Sequence, residues 1–188
     1  MVILKKIKKT DISEEWVSWL NNKKINRYSN QRFVHHTIKT QKIFIKKKIA
    51  DKSSAMYAIF INNKHIGVIE LTKIDLIHKN CIVSFMIGNN KFWGKGIATE
   101  ALDQILKIGF RNLKLKKITS SIYANNTRSE KVMLKNGFKV EGIVKNFYKY
   151  GNKRMDKKIL GIEIEDYIKK KKIWIITYIK LKKNLTQM

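Results

Sequence analysis

A glycine-rich turn at residues 93–98, Trp-Gly-Lys-Gly-Ile-Ala, has the clearest capacity for chemistry in this sequence. An apolar run typical of a buried strand precedes it, and a segment with helical apolar spacing follows it. Glycines let backbone N–H groups approach a ligand closely, and a helix N-terminus offers unpaired donors with a partial positive charge. These features predict a site for phosphate or pyrophosphate, to which Lys91 and Lys95 add charge.

Two other phosphate-binding loops do not fit this turn. The Walker pattern GxxxxGK[ST] is absent from the sequence. The dinucleotide fingerprint GxGxxG is not met, because Thr99 stands where its last glycine would be. A strand-to-helix turn that binds no ligand is the remaining alternative.

The turn resembles the signature of the GNAT superfamily of N-acetyltransferases, Arg/Gln-x-x-Gly-x-Gly/Ala after the fourth strand, with Trp93 in the first place. In the subgroup that includes the ribosomal-protein alanine acetyltransferases the turn often reads WGKGxATEA, and this chain has WGKGIATEA. A second segment, from Asn125 to Ser129 and then on to Gly137-Phe138, is similar to the family's N-x-x-S…GF element.

The resemblance implies that acetyl-coenzyme A (acetyl-CoA) is the cosubstrate. The amides of residues 93–98 would hold its pyrophosphate, Asn126 would contact the pantetheine arm, and Ser129 would lie near the thiol. An N-cap role for Asn126 is the alternative, and the two roles are compatible. The implied cofactor site consists of Ile87, Trp93, Gly94, Lys95, Gly96, Ile97, Ala98, Thr99, Asn126 and Ser129.

The proton-transfer groups do not carry over from the family directly. Many members have a tyrosine four residues before the glycine of GF and an acid at the start of the fourth strand, where this chain has Met133 and Ile82. The resemblance leaves Ser129, or water, to protonate the departing thiolate, with Tyr148 and Tyr150 on the closing hairpin as alternatives distant in sequence. Glu70 is predicted to be the base, because a carboxylate within Gly-Val-Ile-Glu-Leu would lie among apolar neighbours, which strengthens it as a proton acceptor. A solvent-facing Glu70 is the alternative.

A polar and aromatic stretch over residues 26–37 is the predicted acceptor region. It resembles GNAT proteins of surface-polysaccharide sugar biosynthesis, including one that acetylates the 4-amino group of a UDP-linked sugar. Arg27, Arg32 and nearby lysines would hold a nucleotide diphosphate, Tyr28 or Phe33 would stack on a uracil or sugar face, and His36 would be a second candidate base. An ordinary interhelix loop is the alternative. Tyr148, on the closing hairpin, is added to the predicted substrate site.

The elements that position these groups predict an α+β fold, a single GNAT-like domain with a mixed central sheet flanked by helices. The resemblance covers residues 1–164, in the order strand, two helices, three strands, helix, strand, helix, two strands. Helices are predicted to begin at Thr10 or Asp11 and again at Thr40. The basic extension over residues 165–188 is compatible with either a docked helix or a partner-facing strand.

Composition limits the partners. The net charge of +27 is compatible with nucleic acid or an anionic surface, but only five of the 41 basic residues are arginine, which indicates a compositional bias toward lysine. We therefore predict no dedicated nucleic-acid partner, and no metal site.

No transmembrane segment or signal peptide is recognisable, so a cytoplasmic location is expected. The single cysteine, Cys81, is expected to pack in the core, and a homodimer is compatible with the sequence.

The resulting prediction is an acetyl-CoA-dependent N-acetyltransferase that acts on a primary amine by direct attack in a ternary complex. A nucleotide-linked amino sugar is the favoured small-molecule acceptor. Two alternatives stay open: a protein N-terminal acetyltransferase like the ribosomal-protein enzymes, and a non-catalytic module that binds acyl-CoA or nucleic acid.

Overall fold

Seven strands form one mixed sheet in the structure, a computed structural model that describes residues 1–172. Numbered along the chain, the strands are β1 Ile3–Lys6, β2 Ala55–Ile61, β3 Lys64–Asp75, β4 Asn80–Ile87, β5 Lys117–Tyr123, β6 Lys139–Tyr150 and β7 Lys153–Glu163. Their spatial order is β1-β2-β3-β4-β5-β7-β6, and each neighbouring pair is antiparallel except β4 and β5, which run parallel. The predicted α+β class with a mixed central sheet is confirmed.

Helices flank this sheet. The α-helices are α1 Glu14–Asn21, α2 Lys23–Asn26, α3 Ile38–Ala50, α4 Ile97–Lys107 and α5 Thr127–Lys135, and residues 164–172 are also helical. A π-helical turn, Ile108–Asn112, continues α4. Within residues 1–172, no helix is long and apolar enough to cross a membrane.

The predicted start of α1 is wrong by several residues. Ser13 is its N-cap, and the Ser13 side chain accepts a hydrogen bond from the Trp16 amide at 3.2 Å. Asp11 instead accepts a hydrogen bond from the Lys8 amide at 2.7 Å, within a short 3-10 turn that precedes the helix. Three neighbouring residues can all cap a helix, so local sequence did not decide between them.

The predicted start of α3 is also wrong. Its N-cap is Thr37, whose hydroxyl accepts from the Thr40 amide at 3.2 Å, while the Thr40 hydroxyl accepts from the Thr37 amide at 2.9 Å. This reciprocal pair is a capping box in which threonine replaces the usual Glu or Gln. The stretch predicted as a loop before it contains Asn26, the last residue of the short helix α2, and a 3-10 helix, Asn30–Phe33.

The beginning of the C-terminal extension docks as a helix. Tyr167 is 3% exposed, and its ring centre lies 5.1 Å from that of Phe110. Lys171 forms an ion pair with Asp103 of α4, at 2.6 Å. Of the two alternatives for the extension, a docked helix therefore describes its first part, and residues 173–188 lie outside the described residues.

A hydrophobic core lies on each face of the sheet. On one face, α4 packs through Ala101, Leu102, Ile105 and Leu106, all fully buried, against a cluster that includes Cys81. Burial raises the pKa of the Cys81 thiol to about 12, in keeping with a packing role. On the other face, α1 and α3 cover a cluster of buried residues: Ile7, Trp16, Trp19, Leu20, Ile45, Met56, Ala58 and Val68.

The alternation along β3 places Glu70 on the α1/α3 face of the sheet. Val68 belongs to the cluster on that face, and Glu70 follows it by two residues, so their side chains point the same way. Glu70 is paired with Met56 of β2 and Ser84 of β4. The carboxylate therefore lies beneath α1 and α3.

Candidate active site

The two parallel strands at the centre of the sheet separate part-way along their length. β4 pairs with β5 only from Asn80 to Ile82, although β4 continues to Ile87 and β5 to Tyr123. The hydroxyl of Ser120 donates to the Val83 carbonyl at 2.9 Å, where the ladder ends. Beyond it, β4 stays paired with β3 and β5 with β7, so each strand keeps one edge turned toward a gap.

A cavity of about 880 Å³ opens at this gap. Its wall combines the separated strands, the 93–98 turn, the start of α5 and the segment between α1 and α3. Predicted site residues that line it are Arg27, Tyr28, His36, Glu70, Ile87, Trp93, Gly94, Gly96, Ile97, Ala98, Thr99, Asn126 and Ser129. Residues far apart in the chain, from both predicted subsites, therefore face one continuous space.

The 93–98 turn presents open backbone to this cavity. Gly94 and Gly96 have φ of 76° and 77°, in the left-handed region that other residues rarely adopt, and no protein atom lies within 4 Å of a Cβ built on either. Gly96 is the N-cap of α4, and no side chain caps that end of the helix. The first amides of α4 are thus available for an anion.

Trp93 fixes the turn to the strand that precedes it. Its indole Nε1 donates a hydrogen bond to the Ile87 carbonyl at 2.8 Å, and the guanidinium carbon of Arg128 lies 5.3 Å from the centre of its ring. Lys95, in contrast, lies outside the cavity wall, with its Nζ 5.8 Å from the centre of the Phe92 ring. Its predicted ligand contact would therefore come from the backbone of the turn.

Asn126 is the N-cap of α5, the structural alternative considered for it. Its Oδ1 accepts a hydrogen bond from the Ser129 amide at 3.3 Å. The side-chain amide nitrogen is not used by the cap, and both Asn126 and Ser129 line the cavity. Capping and ligand binding are therefore compatible in this position.

The two roles of Asn126 can be separated with two variants. Asn126→Asp keeps an oxygen that caps the helix but loses the amide donor, so we expect an unchanged melting temperature and weaker acetyl-CoA binding, by roughly fivefold. Asn126→Ala loses both functions and destabilises the protein by about 1 kcal/mol. Thermal unfolding and a binding titration measure the two effects. Equal acetyl-CoA affinity in all three proteins would leave capping as the only role.

Glu70 does not lie among apolar groups, contrary to the expectation from its sequence neighbours. Its Oε1 accepts a hydrogen bond from the Ser84 hydroxyl at 3.1 Å, and its Oε2 lies 2.8 Å from Nζ of Lys48. The solvent-facing alternative also fails, because the side chain is only 20% exposed and lines the cavity. The carboxylate therefore faces the cavity with a cation and a hydroxyl as its partners.

The two positions where the family pattern breaks have different surroundings. Met133 lines the cavity but is 1% exposed and belongs to the core beneath α4 and α5. Ile82 is at the last pair of the β4–β5 ladder, on the same side of β4 as Ser84. Neither offers a group that can transfer a proton.

The predicted acceptor residues fall into two sets. Arg27, Tyr28 and His36 line the cavity, and Nε2 of His36 lies 3.0 Å from the Gln31 carbonyl, which it can meet as a donor in one tautomer. Arg32 and Tyr148 lie outside the cavity wall. A direct substrate contact by these two residues stays a prediction.

Arg32 and Tyr148 belong to an aromatic cluster that joins the acceptor region to the β6–β7 hairpin. A terminal nitrogen of Arg32 donates to the Tyr123 hydroxyl at 3.0 Å, and the guanidinium also contacts the carbonyls of Arg27 and Lys149. The Tyr148 ring stacks on that of Tyr123 with centroids 4.0 Å apart. Burial raises the pKa of Tyr148, which keeps its phenol protonated at neutral pH.

Sequence reasoning missed several cavity residues and contacts. Lys48 and Ser84 contact the Glu70 carboxylate, and the basic residues Lys24, Arg128, Lys131 and Lys135 line the cavity. The helical spacing of α3 was a usable signal for Lys48, because it follows the buried Ile45 by three residues. Ser84 lies opposite Glu70 on the neighbouring strand, and this pairing depends on a strand register that the sequence does not give directly.

Comparison with known proteins gives the family. Residues 2–139 match the family described as acetyltransferase (GNAT) domain. The chain belongs to the GNAT acetyltransferase family. It is therefore an N-acetyltransferase that uses acetyl-CoA, as the resemblance of its motifs implied.

Similar proteins differ in what their names say about the acceptor. The chain is 25% identical to acetyltransferase PseH of Campylobacter jejuni, over 76% of this chain and 86% of that protein. It is 29% identical to spermidine N(1)-acetyltransferase of Escherichia coli, over 51% of each protein. A crystal structure of spermidine N-acetyltransferase from Vibrio cholerae, in complex with CoA and spermine, has a TM-score of 0.80 at 22% identity and covers 89% of this chain and 98% of its own. That identity shows a shared fold alone.

The residues of this GNAT enzyme fit acetyl-CoA. Gly94 and Gly96 leave open the space that a Cβ would occupy, and the uncapped N-terminus of α4 suits a pyrophosphate. The open edges of β4 and β5 offer backbone donors and acceptors, which suit the amides of a pantetheine arm. Acetyl-CoA supplies a thioester whose acyl carbon is open to attack by an amine.

Proposed function

We propose that this enzyme transfers an acetyl group to the primary amine of a nucleotide-linked amino sugar. The observation that carries the proposal is the charge of the cavity wall. Within the described residues, Glu70 is the only carboxylate that lines the cavity, and it is already paired with Lys48. Lys24 and Arg27 line it on the side of the predicted acceptor region, and Arg128, Lys131 and Lys135 line it from α5. Such a wall favours an acceptor that carries negative charge, as a nucleotide diphosphate does.

The same wall disfavours a polyamine acceptor. A polyamine carries several positive charges, and a specific site for it needs several carboxylates or carbonyls. One paired carboxylate does not meet that need, and the net charge of +27 repels polycations at a distance. Spermidine is nevertheless the acceptor named for several relatives, so it is the second candidate in the test below.

Aromatic side chains of the acceptor region support the proposal. The Tyr28 ring lies 5.6 Å from that of Tyr123 and 5.9 Å from that of Tyr150, which holds it at the cavity wall. The guanidinium of Arg27 lies 4.8 Å from the centre of the Tyr28 ring. An aromatic face beside a cation matches a base or sugar ring attached to a diphosphate.

The proposed chemistry is direct transfer with both substrates in one cavity. Glu70, directly or through a water, accepts the proton that the amine must lose to attack. As the carbon–nitrogen bond forms and the carbon–sulfur bond breaks, Ser129 or a water protonates the departing thiolate. The amides at the α4 N-terminus and the Asn126 side chain hold the donor, while Arg27 and Tyr28 orient the acceptor.

An acceptor panel tests the proposal. The full chain is incubated with acetyl-CoA and a UDP-4-amino sugar, the free amino sugar, spermidine or ribosomal proteins, and free thiol is followed. We expect the highest kcat/KM with the UDP-linked sugar and a loss of at least about 100-fold with the free sugar, because the diphosphate contacts are lost.

Each other result of this panel identifies an alternative. A higher kcat/KM for spermidine than for the sugar nucleotide would contradict the proposal and favour a polyamine enzyme. Turnover of ribosomal proteins alone would favour protein N-terminal acetylation. Tight acetyl-CoA binding without turnover of any amine would indicate a binding module.

A further inference from the structure

Lys48 reaches the active site from the helix that covers it. The face of α3 that packs on the sheet carries Gln41 and Ile45, which are 3% and 0% exposed. Lys48 is one turn beyond Ile45 and projects from the same face. Its ammonium lies 2.8 Å from the Glu70 carboxylate, and its side chain is 19% exposed. The ion pair is therefore held between helix and sheet, unlike the surface pair of Lys145 and Asp156, whose lysine side chain is 78% exposed.

The two oxygens of Glu70 have different partners. Oε1 accepts a hydrogen bond from Ser84 of β4, and Oε2 faces Lys48 of α3. The neighbour on β2 is the apolar Met56. Among residues 1–172, Lys48 is the only basic side chain within 4 Å of this carboxylate. One contact to each oxygen restricts the rotation of the side chain.

This arrangement leaves Glu70 able to act as a base. Oε2 is buried, so an incoming proton would reach the carboxylate through Oε1, which has a second lone pair beside the one that accepts from Ser84. The ion pair of Lys48 and Glu70 lacks the angles of a hydrogen bond, since no hydrogen-bond partner satisfies Oε2. Lys48 therefore contacts the buried oxygen of Glu70 and leaves Oε1 for the amine proton.

We propose that Lys48 is a positioning residue for acetyl transfer, which holds the Glu70 carboxylate in place at the cavity wall. The proposal rests on the function proposed above, in which Glu70 is the base. Lys48 would contact neither substrate, so its loss should affect the rate through Glu70 alone.

The test combines single and double variants. Lys48→Met keeps the aliphatic stem but removes the charge, Lys48→Arg keeps the charge, and Lys47→Met alters the exposed neighbour on the same helix. We expect Lys48→Met to lower kcat about tenfold with an unchanged KM for acetyl-CoA, because an interaction with a charged group is lost. Lys48→Arg should restore most of the rate, and Lys47→Met should match the wild type. In a Glu70→Gln background, Lys48→Met should lower kcat no further.

Two results would overturn the proposal: wild-type kcat in Lys48→Met, or the same fold-loss in both backgrounds, which would show that Lys48 acts independently of Glu70. Should Lys48→Met unfold, judged by circular dichroism, Lys48→Gln replaces it in both backgrounds. The assay uses whichever amine of the panel the wild type acetylates fastest. A failed sugar-nucleotide acceptor therefore changes the proposed function but not this comparison.

Discussion

Glu70→Gln is expected to lower kcat roughly 100-fold, while acetyl-CoA binds as tightly as it does to the wild type. Glutamine keeps the shape of the side chain and can still contact Ser84, but its amide cannot accept the proton that the amine must lose. Steady-state kinetics with the best acceptor gives kcat, and a direct titration gives the acetyl-CoA Kd. The loss falls on kcat because the proton moves only as the reaction proceeds.

A matched variant distinguishes loss of the base from loss of an ion pair. Glu163→Gln removes the same charge from another carboxylate on a strand, one that lies 3.2 Å from Lys117 and outside the cavity wall. We expect it to keep the wild-type rate. Wild-type kcat in Glu70→Gln would remove Glu70 from the mechanism. A wild-type rate that is constant from roughly pH 6 to 9 would do the same.

Gly96→Ala is expected to weaken acetyl-CoA binding roughly 30-fold, equivalent to about 2 kcal/mol. At φ of 77°, alanine is strained by about 1–2 kcal/mol, and the turn must shift to relieve it. The new methyl group would also occupy the open space beside the α4 amides. Isothermal titration with acetyl-CoA measures the change.

Gly151→Ala is the control for this variant. Gly151, in the turn between β6 and β7, has φ of 60° and equally open surroundings, so alanine introduces similar strain away from the cavity. We expect a lower melting temperature in both variants but a weaker acetyl-CoA affinity in Gly96→Ala alone. Wild-type affinity in both would contradict the assignment of the turn as the donor site.

The predicted donor residues could be chosen from the sequence because the features that indicate them are local. Two glycines, a following helical stripe and Asn126 three residues before Ser129 each act over a few positions, and the structure places them on one cavity wall. The order of elements was also accessible, since strand alternation and helix periodicity are local patterns, but the four-residue helix α2 is too short to show a period and was not predicted. Other errors arose at helix starts, where competing caps such as Asp11 and Ser13 lie two positions apart.

The catalytic and acceptor sides depend on contacts between distant positions. The apolar sequence neighbours of Glu70 led to the wrong environment, because its partners Lys48 and Ser84 come from another helix and strand. Arg32 and Tyr123 are 91 positions apart, and their contact depends on how a loop folds onto the sheet. A single sequence holds no direct signal for such pairs.

The separation of β4 and β5 has a consequence for how the family can diversify. A gap edged by main-chain groups can bind an extended ligand through atoms that every residue has. Substitutions along Ser84–Ile87 and Ser120–Tyr123 can therefore change side chains while the backbone contacts proposed for acetyl-CoA remain. The acceptor contacts proposed above, in contrast, come from the side chains of Arg27 and Tyr28, in the segment before β2. Substitutions in the proposed acceptor region would thus change the amine that is bound, while the gap between β4 and β5 would still bind the same thioester.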